Sequence, residues 1–151
     1  MTTLLFLLWS FTAGAGDLPA IKGYDFADKR VEWRKLSKEL SEASGLAFTS
    51  DGRLLCHNDE DGIVFEIDYR TVNILQRFYL GKSLLYRDDL EGIAAKPGEA
   101  HRDTIFMVNS SGKILRFLLG KHKEKIYFEA FKTPLTARNN VEGLAYDPAT
   151  D

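Results

Sequence analysis

Three short stretches of this chain carry two oxygen-bearing side chains, two residues apart, just ahead of a glycine. They are Glu42 and Ser44 before Gly45, Asp89 and Glu91 before Gly92, and Asn140 and Glu142 before Gly143. In an extended strand residues i and i+2 share a face, so each stretch offers its pair side by side. Carboxylates and amides that converge in this way suit a hard divalent cation such as Ca2+, which takes about six to eight oxygens in flexible geometry. Without a cation the same acids repel, and at least one carboxyl is held above its ordinary pKa. Asp89 and Glu91, in the acid-rich run RDDLEG, are the first candidate metal ligands, with Asn140 and Glu142 next. The competing reading is structural: an acid ahead of a glycine can bond backbone amides of a neighbouring repeat and lock it in place.

A second cluster, His57-Asn58-Asp59-Glu60-Asp61, puts an imidazole beside three carboxylates in a polar loop. Asn58 is a further candidate ligand and Asp59 the best local base. Aligning Gly62 with Gly112 pairs Asp59 with Asn109, and the second loop has serines where the first has acids. The acids are therefore specific to one copy, although such a run is also what a solvated turn looks like. His57 alternates with apolar neighbours and reads as a satisfied, half-buried histidine. Cys56, the lone cysteine, lies in an apolar segment and reads as a buried, inert thiol. His101 and His122 fall in loops. No Ser-His-Asp set, zinc-ligand spacing or Walker loop is present.

The elements that must position these groups follow from the recurrence itself. SGLA, EGIA and EGLA begin at Ser44, Glu91 and Glu142, so their glycines are 47 and 51 residues apart. A period of about 40–50 residues with strand-like texture is the signature of a β-propeller blade. Blade one spans about 44–80, with strands at Ser44–Thr49, Leu54–His57, Ile63–Asp68 and Thr71–Leu80, and a turn at Ser50-Asp51-Gly52. Blade two spans about 91–131, with its last strand over Lys125–Phe131, and blade three starts at about 142–151. The expectation is an all-β propeller fold, present as about two and a half blades of a ring that typically takes about 4 to 8. Remaining blades of the same polypeptide are expected beyond Asp151. In such a ring the first strand of each blade lines the central channel, where the paired acids would meet.

Composition narrows the field of partners. With 44% hydrophobic and 28% charged residues the chain is globular, and its net charge of −2 leaves no footprint for nucleic acid. No stretch reaches the roughly 20 apolar residues that span a bilayer. Leu4–Ala15 is an apolar run closed by small residues, with Ala13 and Ala15 placed for cleavage. Residues 1–15 therefore read as a signal peptide that sends residues 16–151 to the periplasm or outside the cell.

The run LSKELSEASGLAFTSDGRLLCHNDEDGIVFEID, followed by DDLEGIA and NVEGLAYDP, resembles the SdiA-regulated, phytase-like family of exported bacterial β-propellers. The resemblance covers about Trp33 to Asp151. It implies a six-bladed ring, more distantly similar to propellers of the gluconolactonase and paraoxonase type. In those relatives a glutamate before a glycine on an inner strand binds catalytic calcium, a role that would fall on Glu91 or Glu142 and not on Ser44. The family name implies phosphoesterase chemistry, for which no dense constellation of residues is present. Two functions stay open: a calcium-dependent hydrolase of a small ester or phosphoester held in the channel, or a non-catalytic binding or scaffold module.

Overall fold

The computed structural model describes residues 34–150. The signal-peptide reading at residues 1–15 lies outside the described residues. Within them the chain is all-β, built as two sheets that repeat one plan. In the first, β1 (Ala43–Phe48), β2 (Leu54–Asn58), β3 (Ile63–Ile67) and β4 (Ile74–Leu80) run antiparallel in chain order. In the second, β5 (Leu90–Lys96), β6 (Thr104–Asn109) and β7 (Ile114–Leu118) do the same.

The turns sit where their residues dictate. Gly52, at φ 83°, closes the β1–β2 hairpin with its amide on Thr49 O, at 3.0 Å. Gly112, at φ 81°, closes β6–β7 with its amide on Asn109 O, at 2.8 Å.

The fourth position departs from the sequence expectation. Lys125–Phe131 is not one strand but two, β8 (Lys125–Ile126) and β9 (Glu129–Phe131), and they belong to different sheets. β9 pairs antiparallel with β7, whereas β8 crosses to the first sheet and lies parallel to β4, Tyr79 opposite Lys125 and Leu80 opposite Ile126. The apolar side chain of Ile126 explains the crossing, since it enters the core between the sheets and is 5% exposed.

That core is where alternate residues of the two sheets interdigitate. Leu55, Val64, Phe78 and Leu80 of the first sheet meet Ile93, Ile105, Met107, Leu115 and Phe117 of the second. Each such side chain contributes on the order of 1.5–3 kcal/mol by leaving water. On the opposite face of the first sheet Cys56, Phe65 and Ile67 are covered by Leu40, delivered by a 3-10 turn over Lys38–Leu40. Leu46, Phe48 and Tyr69 stay exposed there. On the outward face of the second sheet Leu118 and Phe131 are exposed in turn. Both outward faces thus carry exposed apolar side chains, those of the second sheet beside the exposed Arg116–Glu129 ion pair.

Residues 141–148 form no strand, although the third blade is expected to open at about 142. This segment nevertheless lies along β5: Val141 N donates to Ser110 O at 3.0 Å, and Gly92 leaves so little room that an added Cβ would stand 2.6 Å from Leu144 N.

Candidate functional site

The candidate ligands are positioned by a defect that both sheets share. Along β1 the pairing passes from Ala43 opposite Asn58 to Gly45 opposite His57, which leaves Ser44 unpaired in a bulge. Along β5 it passes from Leu90 opposite Asn109 to Gly92 opposite Val108, which leaves Glu91 unpaired in the same way. A bulge re-aims its extra residue out of the ladder. The two bulged side chains meet, the Ser44 hydroxyl donating to Glu91 Oε2 at 3.2 Å.

Around Glu91 the electrostatics are those of crowded acids. Partial burial raises its carboxyl above the usual range, the Ser44 hydroxyl pulls the other way, and the charges of Glu142 and Asp89 raise it further. Glu142 is in turn held by Asn140, whose Nδ2 donates to Glu142 Oε1. Asn140 has a left-handed backbone, at φ 47°, a conformation that asparagine tolerates better than most residues. Asp89, Glu91, Asn140 and Glu142 therefore lie in one neighbourhood, as their spacing predicts. Glu42 is exposed.

The loop of the second cluster reaches the same end of β5. Leu90 N donates to Asp59 O at 2.7 Å and Asp88 N to Glu60 O at 3.3 Å. The Val141 N to Ser110 O bond is the same contact one repeat later, so Asp59 is the counterpart of Ser110. Asn58 is then the counterpart of Asn109, each ending its second strand beside the bulge. This corrects the pairing of Asp59 with Asn109 by one residue, because the first loop is one residue longer ahead of its glycine.

The corrected register exposes a contrast. Asn109 is fully engaged: its Oδ1 accepts from Lys113 N at 2.7 Å and Ser111 Oγ at 2.9 Å, and its Nδ2 donates to Asp88 Oδ1 at 3.0 Å. Among the described residues, Asn58 Oδ1 and Asp59 Oδ1 are buried without a hydrogen-bond partner, and so is His57 Nε2. Buried polar atoms are almost always paired, so these three are notable. His57 is not half-buried but fully so, at 0% exposure. Its Nδ1 lies 2.9 Å from Asn58 O, so the proton sits on Nδ1, and burial holds the ring neutral by lowering its pKa.

Sequence reasoning missed the group next door. Asp88 Oδ2 accepts from Lys113 Nζ at 2.5 Å and from the Tyr86 hydroxyl. Partial burial alone would raise Asp88, but Lys113, Tyr86 and Asn109 together bring its carboxyl down to about 2. Asp88 is a charge-compensated, structural acid near Glu91, whose strongest charged neighbours are negative. Its only signal in the sequence is the doubled aspartate. Cys56 is buried as expected, which pushes its thiol up to about 11. Among the described residues no three His, Cys, Asp or Glu side chains are already gathered into a metal-holding group.

Comparison of the chain with protein-family models, with curated proteins and with solved structures finds no match. The function must therefore be argued from the site. Its chemistry is narrow: oxygen donors, one raised carboxyl and a nearby buried neutral imidazole, the Cys56 thiol lying on the opposite face of the first sheet. That set can hold a hard cation or exchange a proton through a carboxylate, and it offers no activated nucleophile.

Proposed function

We propose that the chain is part of an exported β-propeller that holds a divalent cation, calcium, where its acid-bearing strands converge. The observation that carries this reading is Glu91, a partly buried carboxylate whose strongest charged neighbours, Glu142 and Asp89, are both negative. Proximity of like charges is unfavourable in the folded state unless a positive charge offsets it. A hard cation does so with the donors on hand: Asp89, Glu91, Asn140 and Glu142, with Asn58 Oδ1 as a buried acceptor in want of a partner. The propeller itself is supported by the 47- and 51-residue repeat, by two sheets with matching bulges, and by exposed apolar side chains on the outward face of each, which a further sheet would cover.

A bound cation would polarise an ester or phosphoester and lower the pKa of water. This chain's own contribution to such chemistry would be Asp59, whose buried Oδ1 has no hydrogen-bond partner. The substrate class follows from the resemblance to phytase-like and gluconolactonase-type propellers, as do export and a small molecule in the channel.

A non-catalytic scaffold is favoured by a different observation. The acids already accept hydrogen bonds from their own row, Glu91 from Ser44 and Glu142 from Asn140, as blade-locking groups would.

Calcium titration followed by thermal unfolding separates the two. Cation binding to the folded state at about 100 times Kd stabilises by about 2.7 kcal/mol, and Glu91→Gln should abolish that response. A melting temperature indifferent to calcium and to chelator, together with a destabilised Glu91→Gln variant, would leave the scaffold reading standing.

A further inference from the structure

The loop between β4 and β5 carries Asp88 and Asp89 at its foot, but its tip, residues 81–86, has a different chemistry. Leu84 is 83% exposed at its apex, and beside it Tyr127 is 69% exposed. The backbone beneath these two side chains is pinned by hydrogen bonds. Tyr86 N donates to Leu80 O at 2.8 Å, closing the loop at its base, and Gly81 N donates to Ile126 O at 3.0 Å. Gly81, at φ 118°, packs so tightly that an added Cβ would lie 2.2 Å from Leu84 O. The Leu84 carbonyl is thus turned inward and its side chain outward. The ring of Tyr86 stacks edge-on against Phe128 at 4.8 Å, fixing the loop to the segment that carries Tyr127.

Two cations flank this apolar tip. Lys82 Nζ sits 5.1 Å from the centre of the Tyr127 ring, and Lys125 Nζ donates to Ser83 O at 3.0 Å. Lys121 and Lys123 extend the basic run in the same segment, with Glu124 turned back onto the Lys121 amide at 2.6 Å. Arg87, at the foot of the loop, is already paired with Asp61.

An exposed leucine and tyrosine flanked by Lys82 and Lys125 match the interface of an anionic bilayer. There aliphatic carbon enters the acyl boundary, tyrosine sits at headgroup level and lysines meet lipid phosphates. We infer that the β4–β5 loop and Tyr127 form a peripheral docking surface for a membrane rich in anionic lipid. Among the described residues no helix is long and apolar enough to cross a membrane.

The test is flotation of the full chain with phosphatidylcholine vesicles, with and without phosphatidylglycerol. Binding to the anionic vesicles alone is expected, weakening as salt rises, since screening acts on exposed charges. Lys82→Gln and Lys125→Gln should each weaken binding about fivefold. Leu84→Asp should remove it, while Leu46→Asp, on the outward face of the first sheet, should leave it unchanged. Circular dichroism of the loop variants should match the parent. The inference is overturned if the parent does not float with anionic vesicles, if it binds zwitterionic ones equally, or if Leu46→Asp is as damaging as Leu84→Asp. It is equally overturned if Leu84→Asp instead dissolves a self-associated form of the protein seen by sedimentation.

Discussion

Ser44 and Glu91 occupy the same rank in successive sheets, and the hydroxyl of one donates to the carboxylate of the other at 3.2 Å. One copy of the repeat has therefore put a neutral donor where the next two have an acid. The substitution keeps the row from carrying a third negative charge and gives Glu91 one partner inside the molecule.

The Glu91 neighbourhood should make stability depend on pH in a definite direction. Its carboxyl is raised in the folded state, so the folded protein binds more protons than the unfolded one above the ordinary glutamate range. Its contribution is fully present at lower pH and is lost as pH rises through the raised value. In chelator, urea unfolding of Glu91→Gln should show a flatter stability profile between about pH 4 and 6 than the parent. An unchanged profile would mean the acids around Glu91 are screened.

His57 predicts the opposite slope. Burial lowers its pKa, so its contribution is complete above the unfolded value of about 6.5 and is lost as pH falls toward the folded one. His57→Leu cannot titrate and should remove the loss of stability between about pH 7 and 5, whatever its effect at neutral pH. Chemical denaturation at a series of pH values reads this out.

The three repeat glycines should respond differently to alanine. A Cβ on Gly45 would lie 2.5 Å from His57 Nε2, and one on Gly92 would lie 2.6 Å from Leu144 N, whereas Gly143 has nothing within 4 Å. Gly45→Ala and Gly92→Ala should each cost about 1–3 kcal/mol, the second by pushing away residues 143–144. Gly143→Ala should fall within about 0.5 kcal/mol of the parent. Equal effects at all three would refute this packing.

Asp88→Ala should destabilise by about 1–2 kcal/mol, because it strips the Lys113 ammonium, the Asn109 amide and the Tyr86 hydroxyl of one shared acceptor. The depressed carboxyl gives a contribution that is present above the unfolded value of about 3.9 and lost as pH falls through about 2. Acid unfolding should accordingly begin at higher pH in the variant.

Much of this was legible before any coordinates. Because hairpin chemistry is local, alternation and turn glycines located the first four strands within a residue or two, except that β4 starts at Ile74 and not Thr71. Lys125–Phe131 was not legible as two strands. Apart from Lys125 and Glu129 its residues are apolar or aromatic, so nothing in the pattern marks a break, and the burial of Ile126 between the sheets decides where the chain crosses. The acid neighbourhood followed from spacing, but the bulges at Ser44 and Glu91 did not, since a bulge changes register without changing composition. The unpartnered nitrogen of His57 was hidden for the same reason: its environment is the glycine opposite it and a neighbouring sheet, neither adjacent in sequence.

The crossing of β8 also bears on how the protein is made. Tyr79 is paired to Lys125, so the outer edge of the first sheet stays bare until a segment from the far end of the second has been synthesised. Such distant pairing raises contact order and slows folding. It also means that the two halves are not interchangeable bricks. A gene cut between them would yield an N-terminal piece with a raw, adhesive margin, so duplication or shuffling of this repeat has to carry the overlap along.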